Sequence, residues 1–146
     1  MDKTKAALKV ILADSFVMYF RTHSYHWNVE GSNFGEMHEF FSDIYTDLHG
    51  TTDIWAEQLR TLDEYAPASL IELYNYKNIH EDTSRPVTLR AMLQNTLDSN
   101  NIMIANLDVL FAVATEENLQ NIADVAAGRL DVHRKLNWML KAYLKG

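Results

Sequence analysis

Two histidines and two carboxylates in the first half of the chain have the residue types of a transition-metal site. His26 and His38 lie twelve residues apart, and an Asp53-x-x-x-Glu57 pair follows them. Imidazole nitrogens and carboxylate oxygens are the ligands from which protein iron and zinc sites are built. The chain has no cysteine, which excludes a thiolate site. These four residues are therefore candidate ligands for iron, with zinc or manganese as alternatives at the same site.

The spacing of these residues raises a geometric problem. His38, Asp53 and Glu57 fall in a segment that is expected to form one helix, in which His38 and Asp53 would lie about 22 Å apart. They cannot then bind one metal within a single chain. If all four belong to one site, a second subunit has to complete it, so the sequence predicts a homo-oligomer. Asp53 and Glu57 by themselves could equally be an ordinary solvated pair one turn apart.

Composition indicates one helical domain, which we expect to span residues 1–146. Hydrophobic residues make up 47% of the chain, and only two prolines and five glycines interrupt it, so long helices are expected. No run of about 18 consecutive apolar residues occurs, and we expect neither a membrane span nor a signal peptide. The absence of cysteine is typical of a reducing compartment, and we expect a cytoplasmic protein.

Apolar residues recur at three- and four-residue spacing in four long segments, as in amphipathic helices. We predict the first helix over Lys3–Trp27 and the second over Asn33–Glu64, where Gly50 would mark close packing against a neighbour. The third is predicted over Thr88–Ala114 and the fourth over Glu117–Leu144. The residues expected to face the core are Leu8, Leu12, Phe16, Tyr19, Phe20 and His23; Met37, Phe41, Ile44, Leu48, Trp55, Leu59 and Leu62; Leu89, Leu93, Leu97, Ile104, Leu107 and Phe111; and Leu119, Ile122, Ala126, His133, Leu136, Leu140 and Tyr143.

A long connector separates the second helix from the third and runs from Tyr65 to Pro86. Within it, Pro67–Tyr74 is predicted as a short helix with Pro67 near its first turn. The third and fourth helices are joined by a short turn at Thr115–Asn118, whose acidic residues are expected to favour the start of the next helix. Four long helices with two short connections and one long crossover are the ferritin-like four-helix bundle topology, an all-α fold.

The single-chain di-iron site of such bundles is absent from this sequence. That site uses Glu-x-x-His pairs on two helices. No histidine here has a glutamate three residues before it. The residues at those six positions are Phe20, His23, Gly35, Thr46, Lys77 and Leu130.

The segment HSYHWNVEGSNFGEMHEFFSDIYTDLHGTTDIWAEQL resembles the signature of the Dps family, the mini-ferritins named as DNA-binding proteins from starved cells. The shared pattern is His-Trp-Asn, then Asn-Phe, then His-Glu twelve residues after the first histidine, then Asp-x-x-x-Glu. The resemblance extends to the crossover helix and to Trp138–Tyr143. It implies a hollow shell of twelve subunits with iron-oxidising centres at two-fold interfaces. One subunit would give His26 and His38 to a centre, and its neighbour Asp53 and Glu57.

One position departs from the family pattern. Where the family usually has a carboxylate one turn after the second histidine, this chain has Ser42. A hydroxyl is a poorer ligand for a hard cation, and Asp43 points about 100° further round the helix. His49, four residues before Asp53 on the same side of the helix, is a candidate substitute, and Glu39 is a weaker one. The centre could be weakened, could hold one metal instead of two, or could recruit another group.

The remaining histidines and two tryptophans have simpler interpretations. His23 and His133 lie on apolar stripes and are expected to be hydrogen-bonded core or interface residues, whereas His80 is expected to be solvated in the connector. Trp27 and Trp55 are expected to be packing residues. Both adjoin the proposed site, so they could also quench radicals formed during iron oxidation.

Acidic residues around the start of the fourth helix have two interpretations. Glu116, Glu117 and Asp124 could be solvated residues at a helix start. Alternatively, the resemblance implies that acidic residues of this helix line an iron entry pore at a three-fold axis, and rings of carboxylates attract cations. We favour the pore for Asp124 and leave both interpretations open for the two glutamates.

The charge distribution predicts weak or absent DNA binding, despite the family name. The formal net charge is −7, and the termini have few cations, namely Lys3, Lys5, Lys141 and Lys145. DNA affinity depends on neutralising phosphates with such groups.

The expected function is therefore ferroxidase activity, with peroxide preferred over oxygen and with storage of Fe³⁺ in the shell. The alternative is a shell-forming protein that has lost oxidation, with Ser42 as the trace of that loss. A DNA-compacting role is disfavoured by the net charge.

Overall fold

A computed structural model describes residues 1–85 and 87–146, and these residues form five α-helices. The helices are α1 (Asp2–Asn28), α2 (Phe34–Thr61), α3 (Leu70–Tyr76), α4 (Leu89–Glu116) and α5 (Gln120–Leu144). α1 packs against α2 and α4, α4 packs against α5, and the short α3 lies on α1. The described residues contain no strand, which confirms the predicted all-α bundle with one long crossover. Pro86, the predicted end of the connector, lies outside the described residues. None of the described helices is both long and apolar enough to cross a membrane.

The crossover helix α3 begins later than predicted. It spans Leu70–Tyr76 instead of the predicted Pro67–Tyr74, so Pro67 precedes the N-cap residue Ser69 and is near the first turn without being part of it. The hydroxyl of Ser69 accepts a hydrogen bond from the backbone N–H of Glu72 at 3.2 Å and caps the helix. Ser-x-x-Glu is the sequence pattern of a capping box, so the signal for this start was present in the sequence.

The turn between α4 and α5 has a different role from the predicted one. α5 begins at Gln120 rather than at Glu117, and its first turn has no acidic residue. The Glu117 carboxylate instead accepts hydrogen bonds from the Thr4 hydroxyl (2.6 Å) and from the backbone N–H groups of Thr4 (2.9 Å) and Lys3 (3.3 Å). It thereby satisfies donors at the start of α1. The hydrogen bond from the Thr4 side chain is the main reason that the pKa of Glu117 is lowered to about 2. Glu116 pairs with the Lys3 ammonium at 2.8 Å.

A buried carboxylate fixes the crossover to the bundle. Asp14 of α1 accepts hydrogen bonds from the backbone N–H groups of Asn78 (2.7 Å) and Ile79 (2.9 Å). The side-chain amide of Asn106 in α4 donates to the same carboxylate at 2.7 Å. Ile79 is itself buried. The crossover is therefore fixed beyond α3, which holds α3 against α1.

The predicted core is largely correct, with three exposed residues and six that are half-buried, namely Phe16, Tyr19, His23, Leu89, Ile104 and Leu119. Phe20, Phe111 and Tyr143 are exposed, although Tyr143 packs against the ring of Phe40 in α2 with 5.0 Å between centroids. Trp27, predicted as a packing residue, is also exposed. No heavy atom beyond the local backbone of α2 lies within 4 Å of the position of a side chain at Gly50, so the predicted close packing does not occur within residues 1–85 and 87–146. The predicted core residues that are buried are Leu8, Leu12, Met37, Phe41, Ile44, Leu48, Trp55, Leu59, Leu62, Leu93, Leu97, Leu107, Ile122, Ala126, His133, Leu136 and Leu140.

Candidate metal centre

The two candidate imidazole ligands lie side by side where the end of α1 meets the beginning of α2. His26 is in the last turn of α1, and His38 is in the second turn of α2. Their rings are stacked, with 3.7 Å between centroids and 16° between planes. The Nδ1 of each ring lies 2.7 Å from the backbone carbonyl oxygen of the other histidine. The packing of α1 on α2 therefore holds the two imidazoles in one fixed arrangement.

These reciprocal hydrogen bonds determine which nitrogen of each ring has the proton. A carbonyl oxygen can only accept, so the Nδ1 of His26 and of His38 must be the donor. In a neutral imidazole the other nitrogen, Nε2, then has a lone pair. Metal-binding histidines are commonly oriented by a carbonyl or carboxylate on the nitrogen that does not bind the metal. The Nε2 atom of each side chain therefore has the lone pair that a cation would bind.

The two candidate carboxylates are far from this pair within the same chain. Asp53 and Glu57 are exposed residues of α2, which runs without interruption from Phe34 to Thr61. At 1.5 Å per residue, about 22 Å of helix separates His38 from Asp53. Within residues 1–85 and 87–146, no three histidine or acidic side chains come together as a metal site. One chain therefore presents the imidazoles and the carboxylates as two separate half-sites.

An aromatic cluster that the sequence analysis did not identify as a unit adjoins the imidazole half-site. The ring of His23 stacks on Tyr45 with 3.8 Å between centroids, and Tyr45 contacts the ring of His26 at 5.2 Å. The Tyr19 hydroxyl lies 3.0 Å from Nδ1 of His23, as expected for a hydrogen-bonded histidine. Burial, with smaller contributions from the charges of His26 and His49, lowers the pKa of His23. The sequence signal was the spacing of residues 19, 23 and 26, which share one side of α1.

Ser42, which stands where the family usually has a carboxylate, and its candidate substitute His49 both lie on α2. Ser42 is half-buried one turn after His38, and Asp43 beside it is exposed. His49 is also exposed, and its ring packs against Tyr19 with 4.8 Å between centroids. The structure therefore places His49 in the same aromatic cluster as the imidazole half-site.

An uncovered apolar surface lies beside this half-site. Leu70 and Ile71 of α3 are 68% and 75% exposed, and with Phe20 and Tyr74 they line a groove of about 560 Å³ between α1 and α3. Tyr19, which contacts His23, lines the same groove. Contiguous exposed apolar side chains with this arrangement are typical of a protein–protein interface.

The three pore candidates have different surroundings. Asp124 is an exposed residue of α5 near the α4–α5 turn. The carboxylates of Glu116 and Glu117 are bonded to the first turn of α1, through Lys3 and Thr4. Asp124 is therefore the pore candidate that has no structural role within the described residues.

The buried His133 belongs to a polar network inside the bundle and not to a metal site. Its Nδ1 donates to the side-chain oxygen of Asn100 at 2.7 Å. Its Nε2 accepts from the Arg129 guanidinium at 3.0 Å, and Arg129 also binds Asp47 through two hydrogen bonds of 2.9 and 2.7 Å. Both ring nitrogens are therefore used, which confirms the prediction of a hydrogen-bonded core residue.

Comparison with known proteins identifies relatives of the whole chain. The protein-family model of the ferritin-like domain matches residues 5–146 of this chain. The chain is 30% identical over 133 residues to general stress protein 20U of Bacillus subtilis, which covers 91% of each protein. It is 29% identical over 134 residues to a DNA protection during starvation protein of Brevibacillus brevis, covering 92% of this chain and 89% of that one.

A solved structure shows the same fold at a similar level of identity. The Dps protein of Vibrio cholerae O1, described as a member of a broad superfamily of ferritin-like diiron-carboxylate proteins, is 31% identical to this chain. The two structures superpose with a TM-score of 0.93, over 98% of this chain and 89% of that one. The similarity thus covers all four long helices and the crossover between them.

Proposed function

Because the chain belongs to the Dps group of the ferritin-like family, we propose that it is an iron-binding mini-ferritin with ferroxidase activity. Fe²⁺ is oxidised at centres shared between subunits, and Fe³⁺ is stored inside a hollow dodecamer. The observation that carries this proposal is the pair His26 and His38, whose Nδ1 atoms are held by each other's carbonyl oxygens. This arrangement leaves the Nε2 lone pair of each ring free for a metal, and within residues 1–85 and 87–146 no acidic side chain joins the two imidazoles in a metal-binding group.

Assembly would bring the two half-sites together. A second subunit lying antiparallel on the first would place its Asp53 and Glu57 at His26 and His38, and two-fold symmetry would create two such centres per pair. The apolar groove between α1 and α3 adjoins the imidazole half-site and is the surface that such a neighbour would cover. Burial of this groove would supply the hydrophobic part of the association free energy.

The proposed reaction uses Fe²⁺ as substrate. Neutral imidazoles and carboxylates together suit iron, and the two carboxylates offset the charge of the cation as Fe²⁺ becomes Fe³⁺. Each of two ferrous ions gives up one electron, and one hydrogen peroxide molecule takes these two electrons and two protons from water and is reduced to two water molecules. Fe²⁺ would enter through acidic pores that include Asp124, which is exposed near the start of α5.

A stopped-flow assay of Fe²⁺ oxidation by peroxide tests this proposal. We expect ferric absorbance to rise faster with the protein than in buffer, and native mass measurement to give a particle of about twelve subunits. No increase over buffer with an intact particle would favour the second candidate, a shell-forming protein without ferroxidase activity. The hydroxyl of Ser42 in place of a carboxylate is the observation that favours that candidate.

Restoring the missing carboxylate should accelerate oxidation. In the Ser42→Asp variant, a carboxylate is placed one turn after His38, where it can bind a cation that the Nε2 of His38 also binds. We expect a rate of ferric product formation at least about 10-fold above wild type, the usual order of a well-placed ligand effect. Asp43→Asn is the matched control, since Asp43 is exposed and points about 100° away. An unchanged rate in Ser42→Asp, together with unchanged Co²⁺ and Mn²⁺ affinities, would mean that the site is not beside Ser42.

We also propose that the assembled protein binds DNA weakly or not at all. The net charge of −7 repels phosphates, and the Lys3 ammonium is already paired with Glu116 at 2.8 Å. A gel-shift experiment at low salt should show free DNA at micromolar protein. A tight complex under these conditions would contradict the proposal.

A further inference from the structure

One face of α2 holds both the position that lacks a carboxylate and a histidine without an assigned role. At 100° per residue, positions 38, 42, 45, 49 and 53 fall within an arc of about 80°. Ring contacts agree with this geometry: Tyr19 lies 4.8 Å from the ring of His49 and 6.2 Å from the ring of Tyr45. His38, Ser42, Tyr45, His49 and Asp53 therefore share the face of α2 that is next to the imidazole half-site.

Antiparallel pairing of two such helices fixes which residues face one another. This step rests on the proposed function, in which His38 of one subunit meets Asp53 of a second copy. Along an antiparallel pair, a step forward on one helix is level with a step backward on the other. Ser42 lies four residues after His38, and it is therefore level with the residue four before Asp53 of the second copy. That residue is His49.

We propose that His49 of the second copy supplies the metal ligand that Ser42 lacks. The centre then has three imidazoles and two carboxylates. In the usual family pattern, a third carboxylate takes the place of the third imidazole. The ring of His49 is exposed, packs against Tyr19, and makes no hydrogen bond to the described residues of its own chain. His49 also lies one turn before Asp53, so both side chains would reach the same centre from the same subunit.

With a third imidazole in place of a third carboxylate, the centre should prefer different metals from a centre with the usual family pattern. Imidazole nitrogen favours borderline cations such as Zn²⁺ and Co²⁺, whereas carboxylate oxygen favours Mn²⁺ and other hard cations. A neutral imidazole also compensates less of the positive charge of bound cations than a carboxylate does. The centre should accordingly bind Co²⁺ and Zn²⁺ strongly and Mn²⁺ weakly, and His49 should be the residue that sets this difference.

Equilibrium metal binding to the assembled, metal-free protein tests the inference. Co²⁺ and Mn²⁺ are titrated by calorimetry, and the visible absorption of bound Co²⁺ reports its nitrogen ligands. In His49→Ala we expect Co²⁺ affinity to fall at least about 10-fold, with a changed Co²⁺ spectrum and an unchanged native mass. In His49→Asp we expect Mn²⁺ affinity to rise relative to Co²⁺. His80→Ala is the control, because His80 is also exposed but lies in the crossover.

A further variant separates failure of this inference from failure of the proposed centre. If His38→Ala abolishes Co²⁺ binding while His49→Ala behaves like His80→Ala, the shared centre stands and the role of His49 is wrong. If neither His38→Ala nor His49→Ala changes Co²⁺ binding, the proposed centre itself is wrong. A monomeric native mass for the wild-type protein would overturn both.

Discussion

His38→Ala and Asp53→Ala subunits, each inactive when assembled alone, are expected to recover metal binding and Fe²⁺ oxidation when assembled together. In a mixed pair, one centre takes intact imidazoles from the Asp53→Ala subunit and intact carboxylates from the His38→Ala subunit. The other centre of that pair has lost both. Random mixing makes about half of the pairs mixed, so about a quarter of the wild-type capacity should return. The measurements are Co²⁺ stoichiometry and the peroxide-dependent rate after joint refolding of equal amounts.

A matched mixture shows whether the recovery depends on two subunits. His26→Ala and His38→Ala remove ligands of the same half-site, so no pairing of these two variants contains an intact centre. Their mixture should stay inactive at the same particle mass. If the His38→Ala and Asp53→Ala mixture also stays inactive while native mass shows mixed particles, the ligands are not shared between subunits. A centre within one chain would need His38 and Asp53 to meet, which about 22 Å of continuous helix prevents.

The separation of the two histidines from the two carboxylates within one chain could be predicted from the sequence, because helix geometry alone determines it. The twelve-residue spacing of His26 and His38 spans a turn, so the two residues can meet, whereas His38 and Asp53 are on one rigid helix. The bonds from each Nδ1 to the opposite carbonyl could not be predicted. These hydrogen bonds depend on how α1 is rotated against α2 and how closely the two helices pack. A periodic apolar stripe does not determine the rotation or the distance precisely enough to predict a hydrogen bond.

Most errors in the fold prediction have one physical cause: whether a side chain is buried or hydrogen-bonded depends on residues that are distant in the sequence. Glu117 was predicted at the start of α5, but the backbone donors of α1 bind its carboxylate across the bundle. Phe20 and Trp27 were predicted to be packed, but they are 52% and 55% exposed. Periodicity identifies an apolar face without showing whether the covering partner is another helix of the chain or a second subunit. By contrast, the start of α3 had a local signal in Ser69 and Glu72.

The buried network of His133 makes the stability of the bundle dependent on pH. His133 is 1% exposed, its Nδ1 donates to Asn100, and its Nε2 accepts from the Arg129 guanidinium. Protonation of Nε2 would replace this hydrogen bond with two facing N–H groups and place a second positive charge beside Arg129. Burial and then the Arg129 charge lower the pKa of His133 to about 3, although Asp47 acts in the opposite direction. Below about pH 6.5, His133 therefore binds a proton in the unfolded chain but not in the folded protein.

Acidification from pH 7 to pH 5 should consequently lower the free energy of unfolding by about 2 kcal/mol through His133 alone. The sign follows from the lowered pKa of a basic group: the stability is complete above the unfolded pKa and is lost as the pH falls towards the folded one. Urea unfolding of the metal-free protein at one fixed concentration measures it, since assembly contributes to the apparent stability. The difference between wild type and His133→Gln isolates this residue, because the other titrating groups are common to both proteins. His80→Gln, in the exposed crossover, should lose as much stability as wild type. Equal losses in wild type and His133→Gln would show that His133 is protonated within the folded bundle and that its contact with Arg129 does not hold in solution.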